Sequence, residues 1–205
     1  MLTGAAALAA GSCSPGRDVP KQQPNVVFIL ADDLGWGDLS CYGQKLFETP
    51  NIDRIAANGM RFTQCYSGTT VSAPSRSCLI TGTHSGHTAI RGNMELKPEG
   101  QFPLPEGAET LFHDFKAAGY ATGAFGKWGL GFVGSTGDPQ QQGVDSFYGF
   151  NCQLLAHSYY PDHLWDNADR IDLSDVNKND PSYAMSIQAL SSSRPPSPTM
   201  EPPTR

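Results

Sequence analysis

Between Pro24 and the paired carboxylates Asp32 and Asp33 the chain reads Asn-Val-Val-Phe-Ile-Leu-Ala, an apolar run without polar alternation. That continuity predicts a strand, Asn25 to Ala31, buried on both faces of a sheet. Thr49-Pro50 then supplies an N-cap and a first-turn proline for a helix from about Asn51 to Asn58, stopped by Gly59. Met60 to Tyr66 reads as a second strand. Ala108 to Ala118 places Leu111, Phe112 and Phe115 on one helical face, with Gly119 as the stop and Tyr120 to Phe125 as a third strand. Strands alternating with helices predict an α/β fold, a mostly parallel sheet flanked by helices. Ligands of such sheets gather beyond the carboxyl ends of the strands. Asp32, Asp33, Ser72 and Lys127 all fall at or just after such ends.

Downstream, Gly129 to Gly143 is rich in Gly, Gln and Ser and reads as a surface loop. Phe147 to Trp165 is aromatic and contains histidine, the composition of a substrate-pocket wall. Ser191 to Arg205 carries five prolines and four serines, which excludes a core strand or helix. The chain thus divides into a leader and linker (1–24), a main α/β portion (25–182) and a Pro/Ser-rich tail (183–205).

The most specific chemistry lies in Ser72-Ala73-Pro74-Ser75-Arg76. Proline is tolerated in a first helical turn, so Ser72 can cap a short helix from Ala73 to Thr81 that ends at Gly82. Residues four apart share a helical face, which puts Arg76 beside the Ser72 hydroxyl. Backbone N–H groups and the helix dipole favour an anion at the same place. The spacing describes a site for a tetrahedral oxyanion.

With the segments Asn25 to Gly43, Thr49 to Tyr66 and Gly119 to Gly131, this pentapeptide and the following SCLITG resemble the sulfatases, of the alkaline-phosphatase-like superfamily. In that family a Cys or Ser two residues before Pro-Ser-Arg is oxidised to formylglycine. The resemblance implies that Ser72 is the modified residue, of the serine type, and that a formylglycine-generating maturation enzyme is a partner. It implies Asp32 and Asp33 as ligands of Ca²⁺ or Mg²⁺, in keeping with the preference of hard cations for carboxylate oxygen. It implies Arg76 as the group holding the modified side chain or the carboxylates, and Lys127 as a fixed cation on the transferring sulfate. Many sulfatases carry GKWHLG where this chain has GKWGLG, so Gly129 stands in place of a histidine. His157 is the candidate replacement, as general acid or sulfate ligand, and His163 the second. His84 and His87 are expected to line the pocket, and His113 to be structural. The family's downstream Asp-Asn metal pair has no match, and a sulfatase would continue much further, so a truncated or frameshifted reading frame is expected.

The implied reaction is hydrolysis of an aryl or carbohydrate sulfate ester. Two alternatives stand beside it: phosphoryl transfer by an unmodified Ser72, and an inactive fragment that binds sulfated glycans. With 14 basic and 20 acidic residues the net charge is -6, which argues against a general grip on nucleic acid. An anionic substrate therefore needs local positive charge. The first residues, MLTGAAALAAGSC, are too short to span a bilayer and read as an export signal. Ala10-Gly11-Ser12-Cys13 resembles a lipobox, which would attach lipid to Cys13; a plainly cleaved leader is the alternative. Either predicts a periplasmic protein or a lipoprotein at a membrane surface. Cys41, Cys65, Cys78 and Cys152 show no CxxC or metal-like spacing and read as small buried hydrophobes, with one disulfide left open.

Overall fold

A computed structural model describes residues 23–158 and 160–174. The lipobox at Cys13, most of the leader and the Pro/Ser-rich tail lie outside the described residues. The described residues fall into two compact units that divide between Pro50 and Asn51.

In the first unit the apolar run does not form a strand. Residues 24–31 have no regular secondary structure, and Val27 and Ile29 are 82% and 79% exposed. A strand buried on both faces needs a ladder partner at its edge and cover above and below, and no described strand pairs with this run. Two short 3-10 turns follow, Trp36–Asp38 and Ser40–Tyr42. Gly35 N–H donates to Asp38 Oδ2 at 2.7 Å, and Ser40 and Thr49 exchange backbone-to-hydroxyl bonds of 3.0 and 2.9 Å.

The second unit follows the predicted order of helices more closely. Helix α1 spans Pro50–Asn58, its first residue closing the first unit, and α2 spans Ser72–Thr81. Met60 to Tyr66, expected as a strand, is irregular and exposed throughout. Helix α3, Leu111–Ala117, is shorter than the predicted Ala108–Ala118 because Thr110 caps it in a box with His113. The third strand is displaced by three residues at its start and becomes β1, Gly123–Lys127. It pairs in parallel with β2, Ser146–Phe150, in the register Lys127↔Phe150. Strands β3, His163–Asp166, and β4, Asp169–Asp172, complete the sheet antiparallel in the order β1-β2-β3-β4. The sheet is therefore mixed, with a single parallel pair at one edge.

The core joins α2 to the start of this sheet. Ala73 and Ile80 from α2 meet Ile90, Leu104, Trp128, Leu130, Val144 and Phe147. Trp128 stacks edge-on against Phe147 at 6.2 Å, and its indole N–H donates to Gly137 O at 2.8 Å, so the largest side chain leaves no unmatched polar atom. The segment Gly129 to Gly143 is not a surface loop: Leu130, Gly137, Asp138, Pro139 and Gln142 are buried. Its polar backbone is matched internally, with Leu104 N–H on Leu130 O at 2.9 Å and Gln142 Nε2 on Thr136 O at 2.7 Å. Glycine makes the close approach feasible, since a Cβ at Gly137 would strike the Leu130 carbonyl and the Leu104 amide.

Asp145, just before β2, ties the sheet to α3. Burial raises its pKa, but Lys116 Nζ at 2.7 Å and the Thr122 N–H at 2.9 Å outweigh burial and hold the carboxyl below its ordinary value of 3.8. A carboxyl depressed in the folded state contributes stability above the unfolded pKa and loses it as pH falls through the folded one. Asp145→Asn is therefore expected to lower the melting temperature at pH 7 and to show a smaller drop on acidification below about pH 4 than the parent, read by circular dichroism. Phe147→Ala, which empties the centre of the core, is expected to cost about 3–5 kcal/mol in denaturant unfolding.

Candidate functional site

The helix carrying Ser72 begins one residue earlier than the sequence suggests. Val71, extended at φ -118°, is the N-cap and offers no side-chain cap, so Ser72 is the first helical residue. Gly82 closes the helix in the left-handed region at φ 65°, as its sequence position predicts. With the hydroxyl released from capping, Ser72 Oγ instead accepts from Arg76 Nε at 2.9 Å. This is the i, i+4 contact expected from the spacing.

Arg76 also reaches the sheet. A terminal guanidinium N–H donates to the Lys127 carbonyl at 2.6 Å, across 51 residues of sequence. The planar fork thus spans from the first residue of α2 to the last residue of β1, at the carboxyl end of the parallel pair. Ser72, Arg76 and Lys127 are brought together by this bridge, and all three are half-buried.

The amides of the first turn are less available than the sequence suggests. Ala73 N–H donates to Asn93 Oδ1 at 2.9 Å, Pro74 has no N–H, and Ser75 N–H bonds Val71 O at 3.2 Å. Positive charge at this end of α2 comes from the Arg76 guanidinium and the helix dipole, rather than from open backbone donors. Asn93 had no signal in the sequence: it lies 20 residues beyond its partner, in a stretch with no regular element.

The histidines divide sharply. His157 ends the five-residue helix α4, Gln153–His157, and is exposed. His163 is buried in β3, where Nε2 lies 2.6 Å from Glu99 Oε2 and Nδ1 2.5 Å from Asp162 Oδ1, with Arg170 at 3.0 Å from Nδ1. Trp165 Nε1 donates to the other Glu99 oxygen at 2.8 Å. The hydrogen bond to His163 leads in holding the Asp162 carboxyl below its ordinary value. His163 therefore fastens the loop containing Glu99 to the β3–β4 hairpin, with both ring nitrogens engaged. His84 and His87 follow the C-terminal end of α2, and ten helical residues put about 15 Å between that end and Ser72. His84 Nδ1 accepts locally from Gly86 N–H at 3.0 Å, while His87 lines a 270 Å³ cleft with Ser77, Thr88, Leu104 and Glu109. His113 is structural as expected, closing the α3 capping box.

Asp32 and Asp33 lie in the first unit, on a bend where Asp33 takes φ 58°. Their donor set, two adjacent carboxylates, suits a hard cation in kind. Among the described residues no group of three or more His, Cys, Asp or Glu is gathered as a metal site would require. No disulfide joins the cysteines among them: Cys78 and Cys152 are buried as expected, Cys41 is half-buried, and Cys65 is exposed, against expectation.

At the carboxyl end of the parallel pair Gly129 continues the ladder, donating to Asn151 O at 3.0 Å. It takes φ 75°, and a Cβ there would run into Gln153 Nε2. The place of a side chain at 129 is filled by the first residue of α4. The sequence shows the glycine but not what occupies its space.

Comparison with known proteins bears on this arrangement. Human arylsulfatase D is 43% identical over 147 residues, covering 67% of this chain and 25% of the relative. An N-acetylgalactosamine-6-O-sulfatase of Bacteroides thetaiotaomicron is 46% identical over 114 residues, covering 54% of this chain and 21% of the relative. Among solved structures, one from Bacteroides thetaiotaomicron described under metabolism of multiple glycosaminoglycans superposes with a TM-score of 0.64 at 34% identity, covering 73% of this chain and 32% of that one. The structure of Ps i-CgsB in complex with k-i-k-neocarrahexaose gives 0.57 at 34% identity, covering 64% and 29%. The chain spans about a quarter of the length of the curated relatives it matches. The family model described as Sulfatase matches residues 24–188, most of the sequence, and the chain belongs to the sulfatase family.

Proposed function

We propose that the protein hydrolyses a sulfate ester, of an aryl or carbohydrate alcohol, with Ser72 as the residue that becomes formylglycine. The observation that carries this reading is the Arg76 guanidinium held between Ser72 Oγ and the Lys127 carbonyl. Once oxidised by a maturation enzyme and hydrated, the side chain at 72 would supply the hydroxyl that attacks sulfur. Arg76 orients that side chain and keeps positive charge beside it. Lys127, at the end of β1, faces the developing charge on the sulfate as a second cation. Membership of the family and the sulfated-carbohydrate chemistry in its relatives' names support the substrate class.

Asp32 and Asp33 would hold Ca²⁺ or Mg²⁺, which when bound would neutralise sulfate oxygens. His157, exposed at the end of α4, is the proposed proton donor to the leaving oxygen. His163 is set aside for that role because Glu99 and Asp162 occupy its ring nitrogens. Export, with a lipid anchor at Cys13 or a cleaved leader, remains part of the proposal, since it would bring the enzyme to extracellular sulfated compounds.

Protein made in a host that matures sulfatases is expected to show a Ser72 peptide lighter by two hydrogens, read by mass spectrometry. An intact hydroxyl together with phosphoryl transfer would favour the unmodified-serine alternative. In that protein Arg76→Lys, which keeps the charge but loses the fork, is expected to lower kcat/KM for a sulfate ester at least about a hundredfold, and unchanged kinetics would contradict the assigned role. Asn93→Ala is expected to cost about 1 kcal/mol of stability. Asn93→Asp keeps the acceptor for Ala73 N–H, so it should restore the melting temperature while raising KM for the anionic ester.

A further inference from the structure

Three carboxamides are buried together where β1 and β2 end. Gln101, Asn151 and Gln153 are 0%, 1% and 1% exposed. Gln153 N–H donates to Gln101 Oε1 at 3.2 Å, Asn151 O accepts from Gly129 N–H, and Gln153 Nε2 lies over the Cα of Gly129. Among the described residues Gln101 Nε2, Asn151 Oδ1 and both polar atoms of the Gln153 side chain have no hydrogen-bond partner. Buried polar groups are almost always matched, and each orphan lowers stability, so four unmatched atoms on these three linked residues call for an occupant.

The unmatched atoms are two amide nitrogens that donate and two carbonyl oxygens that accept, with no net charge. A sulfate oxygen only accepts and would leave half of them orphaned. A hydroxyl both donates and accepts, which matches the set. The cluster also stands close in the chain to the proposed sulfate site, since Lys127 precedes Gly129 by two residues on the same strand end. Gly129 makes the arrangement feasible, because any side chain there would displace Gln153.

Resting on the sulfate-ester reading above, we propose that Gln153, with Gln101 and Asn151, forms a neutral subsite that binds a hydroxyl of the sulfated molecule, and that Gln153 sets a preference for sugar over aryl esters. Because the three residues are buried, entry of a ligand requires α4, five residues long with Leu154 and His157 exposed, to lift from Gly129.

The test is calorimetric titration of the full chain with galactose 6-sulfate and with 4-nitrophenyl sulfate, an ester lacking ring hydroxyls. The parent is expected to bind the sugar ester at least about tenfold more tightly. Gln153→Met should bring the two affinities within twofold, while its melting temperature stays equal or rises because an orphaned amide is gone. Equal affinities in the parent, a preference that survives Gln153→Met, or binding of neither ester would overturn the inference. Turnover separates it from the reading beneath: a matured enzyme that hydrolyses both esters without preference strikes only this subsite, whereas selective binding with Ser72 left unmodified and no hydrolysis strikes only the proposed reaction.

Discussion

One guanidinium joins the two elements on which the site is built. Arg76 donates to Ser72 Oγ within its own helix and to the Lys127 carbonyl at the end of β1, so the start of α2 and the end of the parallel pair cannot move independently. The core beneath enforces the same pairing, since Ala73 and Ile80 on α2 pack with Trp128 just past β1 and Phe147 in β2. A planar donor fork loses less freedom per bond than a flexible ammonium would. Precision at the site therefore follows from packing below it and from one arginine across it.

The same region handles charge economically. The protein is acidic overall, yet the Arg76 guanidinium sits at the end of β1, where the dipole of α2 adds positive potential without adding a residue. Asn93 engages the Ala73 amide and Pro74 has none, so the first turn of α2 offers few open backbone donors. Elsewhere carboxylates are matched to specific donors: Asp145 to Lys116 and Thr122, Glu99 to His163 and Trp165. These pairs fix the loops bordering the sheet.

Local signals in the sequence were legible. Pro74 and Gly82 bounded α2 to within one residue, Gly119 marked the end of the α3 turn, and the Ser72–Arg76 spacing anticipated a contact later found at 2.9 Å. Pairing was not legible, because an apolar run specifies burial but not its partner. Asn25 to Ala31 and Met60 to Tyr66 have the composition of strands and find no ladder, while Ser146–Phe150, read only as part of an aromatic wall, supplies the parallel neighbour of β1. The glycine-rich stretch after β1 misled for a related reason: glycine marks close backbone approach as well as exposed turns, and at Gly137 the approach is to Leu130 and Leu104. Asn93 and Gln153 acquire their roles only through contacts that sequence spacing does not reveal.

The central claim is that Arg76 and Ser72 act as one unit. A double-mutant cycle with Ser72→Ala, Arg76→Met and the pair, followed by denaturant unfolding of the chain, measures that coupling directly. The account predicts an interaction energy of about 0.5–3 kcal/mol; strictly additive effects would mean that the guanidinium does not hold the hydroxyl.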